Sequence, residues 1–230
     1  MNQNLGTSLE IASATDPGMV RSHNEDSIGT DAEIGLAVLA DGMGGYNAGE
    51  VASGIAVAML TTEMKQALGD HDPHASDGSG ELMAEKFVRE NSAKANAAIY
   101  QTAKSQPQYS GMGTTLVIAL FFDNRMTVGH IGDSRLYRLR EDALEQVTRD
   151  HSLLQEQIDS GMISKEQARF SQNKNLVTRA VGIDQHERVE VGLQRGGARE
   201  VGLDDFDWRK RLAGVEAGQL GGARPRDIVI

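Results

Sequence analysis

The order of elements predicted from the sequence places this chain in the α+β class: short strands, two long helices, a run of antiparallel strands, then short helices. Three observations carry that prediction. Apolar runs at residues 35–40 and 114–122 have the length of buried strands. Apolar residues recur at helical spacing from Val51 to Leu68. Turn chemistry then divides residues 122–147 into short β-prone pieces, the signature of a meander. The strict strand–helix alternation of a doubly wound parallel sheet is missing.

Residues 9–14 read as a first strand, closed by Asp16-Pro17-Gly18, where proline fixes φ and glycine tolerates positive φ. A second strand follows that turn. The run 35–40 is a buried strand ending at Asp41, and Asp41-Gly42-Met43-Gly44-Gly45 reads as a flexible loop. A helix with one buried face then presents Val51, Ile55, Met59 or Ala58, and Leu68. Residues 69–80 carry no period and read as a surface loop. A second helix over 82–104 turns Phe87, Ala95, Ala98 and Ile99 inward.

Residues 114–122 are a β-prone run that turns at Asp123-Asn124-Arg125 into a returning strand over 126–131. Strands at 136–139 and 144–147 extend the meander. Two short helices, 151–160 and 164–170, meet at Gly161, a C-cap residue. Beyond residue 191 the character changes: residues 192–230 hold eight glycines and six arginines without either periodicity. The expected organisation is one domain over 1–191 and an atypical, poorly ordered or non-native tail over 192–230.

Composition removes several function classes. With no cysteine, thiolate metal sites, disulfides and cysteine nucleophiles are excluded. A formal net charge of −10 argues against binding nucleic-acid phosphates, which needs clustered Lys and Arg. The N-terminus lacks the basic and apolar regions of a leader, and no window approaches about 18 apolar residues, so a cytoplasmic monomer that does not enter membranes is expected.

Three acidic clusters stand where strands end: Arg21-Ser22-His23-Asn24-Glu25-Asp26, Asp41-Gly42-Met43-Gly44-Gly45 and Gly132-Asp133-Ser134-Arg135. Carboxylates on strand tips can converge on rigid supports, and they are hard oxygen donors suited to Mg²⁺ or Mn²⁺. Asp41 alone would read as a turn residue, and Arg21 alone as a surface ion-pair partner.

Together with Ser110-Gly111-Met112-Gly113-Thr114-Thr115, His130-Ile131-Gly132-Asp133-Ser134-Arg135-Leu136-Tyr137 and Thr148-Arg149-Asp150-His151-Ser152, these clusters resemble the metal-dependent protein phosphatases, the PPM or type 2C serine/threonine family, in compact bacterial form. The resemblance runs in register from about residue 9 to about residue 191. It implies an αββα sandwich of two antiparallel sheets flanked by helices, with a metal cleft at one sheet edge. It also implies hydrolysis of phosphoserine and phosphothreonine in proteins by a metal-activated water, with substrates supplied by a serine/threonine kinase.

In that family's pattern Asp41 would bridge two Mn²⁺ or Mg²⁺ ions and the Gly42 carbonyl would bind one of them. Glu25 and Asp26 would ligate directly or through water, and Arg21 would hold the substrate phosphate with its planar fork of donors. Asp133 would hold a third ion, with Asn175 as its partner. Met43 stands where many eukaryotic members carry a histidine, and the serine-to-threonine segment 110–115 reads as close backbone packing beneath the site. The family's later Asp-Gly-Leu and Gly-x-x-Asp-Asn segments do not occur, and no apolar strand leads into Asp204, Asp205 or Asp207. The alternative that follows is an impaired phosphatase-fold module that binds phosphoproteins.

Overall fold

The computed structural model describes residues 5–17, 19, 23–45, 47–140, 143–171, 176–195, 200–204 and 227–229. In chain order these form β1 (Glu10–Ala12), β2 (Asp26–Asp31), β3 (Leu36–Met43), α1 (Ala48–Asp70), α2 (Met83–Ser105), β4 (Gly113–Thr114) and β5 (Leu116–Phe122). There follow β6 (Arg125–Ile131), β7 (Arg135–Arg140), β8 (Ala143–Gln146), α3 (Leu153–Asp159), α4 (Lys165–Ala168), β9 (Glu190–Arg195), β10 (Glu200–Asp204) and β11 (Asp227–Val229). The main sheet has the order β2-β3-β5-β6-β9, antiparallel throughout, with β4 beside β3. A second sheet runs β10-β7-β8, and β1 pairs in parallel with β11.

The central strands are apolar on both faces because both faces are covered. Leu36, Val38 and Ala40 of β3, with Leu116, Ile118, Leu120 and Phe122 of β5, pack against α1 and α2. The alternate residues Ala37, Leu39, Val117 and Ala119 join Met126, Val128 and Leu136 between the two sheets. Side chains on a strand alternate in direction, so one continuous run feeds two cores. Each fully buried Leu, Ile or Val among them contributes roughly 1.5–3 kcal/mol. The result is a helix–sheet–sheet sandwich of mixed α+β class.

Helix α1 is graded along its length. Its buried stripe runs Ala52, Ala56, Leu60, Met64, Leu68, small near the start and large toward the end. The start therefore lies close against the sheet, and this closeness shapes the site described below. In α2, Phe87, Ala95 and Ile99 are buried as the spacing predicts, Val88 is buried as well, and Ala98 is half-buried.

Three expectations change. Residues 41–43 are strand, not loop: Gly42 and Met43 of β3 pair with Thr114 and Gly113 of β4. A glycine in a strand marks a close backbone approach, here by α1, and that packing outweighs the turn propensity of Asp-Gly. The boundary at residue 191 falls inside β9, whose pairing with β6 carries the main sheet to Arg195. Residues 200–204 form a strand despite their composition, because the edge of β7 supplies a partner for their backbone.

Candidate metal centre

Asp26 opens β2 and lies directly opposite Asp41 of β3. The Gly42 N–H donates to the Glu25 carbonyl at 3.0 Å, which makes 25 and 42 the hydrogen-bonded pair. Asp26 and Asp41 are then the neighbouring pair of the other kind, in which side chains on one face come closest. Like charges so placed repel, and a hard divalent cation between them converts the repulsion into ligation.

The backbone of Asp41 is held from the opposite side by the corner between β4 and β5. Its carbonyl accepts from the Thr115 N–H and the Thr114 hydroxyl, each at 2.9 Å, and its N–H donates to Thr115 Oγ1 at 3.0 Å. Asn24 Oδ1 accepts from the Asp26 N–H at 3.1 Å, which fixes the entry into β2. Ser53 of α1 donates to the Glu25 carbonyl at 2.6 Å.

The first turn of α1 sits on this corner with no room to spare. A Cβ on Gly42 would fall 2.1 Å from the Gly49 carbonyl oxygen, and one on Gly49 would fall 2.8 Å from Glu25 Oε1. Two glycines thus bring the Glu25 carboxylate against the N-terminal turn of a 23-residue helix, where the peptide dipoles favour negative charge.

Asp133 lies in the turn between β6 and β7. Gly132 before it has φ +104°, and a Cβ there would meet Thr115 Cγ2 at 2.6 Å. Ser134 after it is fully buried, with its hydroxyl 2.7 Å from Thr115 Oγ1. One threonine hydroxyl therefore joins the Asp41 strand to the Asp133 turn. The segment 110–115, predicted as backbone packing, has this second role, which its sequence did not display.

Two histidines back the same turn. Their rings stack at 4.8 Å, His130 bonding the Ser134 carbonyl through Nε2 at 3.1 Å and His151 accepting the Gly132 N–H through Nδ1 at 3.0 Å. Burial, together with the neighbouring His151, pushes the His130 pKa down to about 4, so the ring is neutral near pH 7. His151 Nε2 lies 3.0 Å from Glu190 Oε1, and Arg179 donates to that oxygen at 2.8 Å. Burial pulls the Glu190 carboxyl upward, but the hydrogen bonds from His151 and Arg179 and the charge of Arg179 outweigh it and hold the group below its ordinary range. Arg135 grips Asp150 with two bonds of 2.8 and 2.6 Å, which raises the guanidinium pKa against the opposing effect of burial.

The structure thus brings Glu25, Asp26, Asp41 and Gly42 to one corner and ties the Asp133 turn to it through Thr115. Arg21 and Asn175 lie outside the described residues. Among the described residues no group of three His, Asp or Glu is placed to hold a metal ion by itself. The gathered donors are all oxygen, without imidazole, and that set fits Mg²⁺ or Mn²⁺ better than zinc or copper.

The sequence profile of the Protein phosphatase 2C family matches residues 20–181. Serine/threonine protein phosphatase PstP of Mycobacterium tuberculosis is 40% identical over 198 residues, which covers 86% of this chain and 36% of that protein. This chain therefore spans about a third of the length of that relative. Serine/threonine phosphatase stp of Listeria innocua is 37% identical over 183 residues, covering 77% of this chain and 68% of its own. Among solved structures, the catalytic domain of PstP in complex with 2 manganese ions superposes with a TM-score of 0.64 at 35% identity, covering 79% of this chain and 70% of that one.

Proposed function

The chain belongs to the protein phosphatase 2C family, and from that premise we propose that it hydrolyses phosphoserine and phosphothreonine in proteins with the help of Mn²⁺ or Mg²⁺. The observation that carries this reading is the register placing Asp26 opposite Asp41, beside Glu25 and against the start of α1. Asp41 and the Gly42 carbonyl would hold the cations, assisted by Glu25 and Asp26, and Asp133 with Asn175 would hold a third. When bound, the ions would supply Lewis acidity that lowers the pKa of water into the neutral range.

The chain's own residues do the positioning. The hydrogen bonds that Thr114 and Thr115 make to Asp41 fix its backbone, so its carboxylate would hold cations from a preorganised position. Arg21, assigned from its motif, would bind two phosphate oxygens and offset the charge that develops in transfer. We extend the proposal to a cytoplasmic monomer acting on the products of a serine/threonine kinase. No described helix is long and apolar enough to cross a membrane.

Release of phosphate from a phosphothreonine peptide in Mn²⁺ tests the reading. The wild-type chain should exceed the Asp41→Asn variant by at least about a hundredfold, an effect of the size expected for losing a metal-bridging group. Equal rates would sink it.

A further inference from the structure

We propose that His151 is a positioning residue that locks the Asp133 turn to the segment carrying α3 and α4. The inference rests on the reading of Asp133 as a cation ligand only for its functional consequence, since the lock itself is a matter of geometry.

Both backbone polar groups of Gly132 go to one residue. The Gly132 N–H donates to His151 Nδ1 at 3.0 Å, and the His151 N–H donates to the Gly132 carbonyl at 2.8 Å. Because Nδ1 accepts, the ring proton sits on Nε2, which donates to Glu190 Oε1 of β9 at 3.0 Å. Arg179 shares that oxygen at 2.8 Å and also binds Glu187 and the Arg188 carbonyl. The Gly132 N–H alone sets this tautomer, because at Nε2 the ring meets both the Glu190 acceptor and the Arg179 Nη1 donor, the latter at 3.1 Å.

The other flank of Asp133 is held in the same way. His130 Nε2–H donates to the Ser134 carbonyl at 3.1 Å, and its ring stacks on His151 at 4.8 Å with 22° between planes. The residues before and after Asp133 therefore each depend on an imidazole, and the two imidazoles brace each other. The His151 carbonyl accepts from Thr178 N–H at 2.9 Å, while Leu153 N–H donates to the Leu176 carbonyl at 2.9 Å. Displacement of the backbone at His151 by Leu153 or Thr178 would reach Gly132 through the His151 N–H, and the ring adds a second bond to the same glycine.

Two substitutions separate the ring's jobs. In His151→Asn the amide oxygen can take the place of Nδ1 and keep the Gly132 bond. In His151→Gln the amide nitrogen can replace Nε2, and the Gly132 acceptor is lost. Hydrogen exchange of the peptide spanning Gly132 and Mn²⁺ binding followed by electron paramagnetic resonance are the readouts, with Asp133→Ala as reference.

We expect His151→Gln to speed exchange at Gly132 by about tenfold, the factor for one net hydrogen bond, and to lose the same class of bound Mn²⁺ as Asp133→Ala. The His151→Asn variant should keep both. Unchanged exchange with His151→Gln, or indistinguishable exchange in the two variants, overturns the lock. If Asp133→Ala leaves Mn²⁺ binding intact, the metal role of Asp133 falls instead, and Gly132 exchange alone still decides the lock.

Discussion

The close seat of α1 on the carboxylate corner can be tested with two glycines of the same helix. At Gly54 an added Cβ meets nothing within 4 Å. At Gly49 it would fall 2.8 Å from the Gly42 carbonyl carbon, 2.9 Å from the Gly42 oxygen and 2.8 Å from Glu25 Oε1. Helix propensity favours alanine over glycine by roughly 0.5–1 kcal/mol at an open interior site. Gly54→Ala should therefore stabilise the chain. Gly49→Ala gains at most the same amount, and then forces the helix away from a backbone that cannot rotate aside, an overpacking cost of roughly 1–3 kcal/mol.

Because Gly49, in the first turn, gains no more than Gly54, the difference between the variants is at least the overpacking cost. At about 2 kcal/mol, and roughly 2–4 °C of Tm per kcal/mol for a chain of this size, their melting temperatures should differ by roughly 4–8 °C. Thermal unfolding followed by circular dichroism measures this. Gly49→Ala should also weaken Mn²⁺ binding, since Glu25 is one of the groups it displaces, while Gly54→Ala should not. A Gly49→Ala protein as stable as Gly54→Ala would refute the packing argument.

Two further perturbations bear on the same corner. Thr115→Val removes the hydroxyl between the part-buried Asp41 N–H and the buried Ser134 Oγ and leaves each short of a bond, costing about 1–3 kcal/mol in urea unfolding; Thr115→Ser should recover most of it. His130, held near 4 in the folded state against about 6.5 unfolded, binds fewer protons when folded, so its stability is whole above pH 6.5 and drains as pH falls toward 4. The loss is on the order of 3 kcal/mol over that window, and it should be absent from the pH dependence of His130→Gln.

The secondary structure was largely legible because its signals are local. The run at 35–40 survives as β3 and the helix as α1, although its buried face is Ala52, Ala56, Leu60, Met64 and Leu68, with Val51, Ile55 and Met59 half-buried and Ala58 exposed. What local reasoning missed has long-range causes. Asp41-Gly42-Met43 has the composition of a turn, yet it is strand, because β4 and the Glu25 carbonyl take up its backbone. Residues 200–204 likewise borrow their strand from β7. Neither partner is visible within a window of a few residues, since pairing across a sheet is set by where distant segments are delivered.

The site divides along the same line. That Asp26 and Asp41 carry cation chemistry was readable from their motifs, but their opposition depends on register, and a slip of one residue would turn one carboxylate to the other face. Register here follows from the apolar alternation of β3, which must bury Leu36, Val38 and Ala40 on the helix side and Ala37 and Leu39 on the other. The core thus aligns the carboxylates through the register it imposes. Thr115 and His151 lie in motifs the sequence singled out, but the bonds they make are not legible there. Each acts through bonds to backbone atoms of Asp41, Gly132 or Thr178, and a backbone atom leaves no mark in the sequence of the residue that owns it.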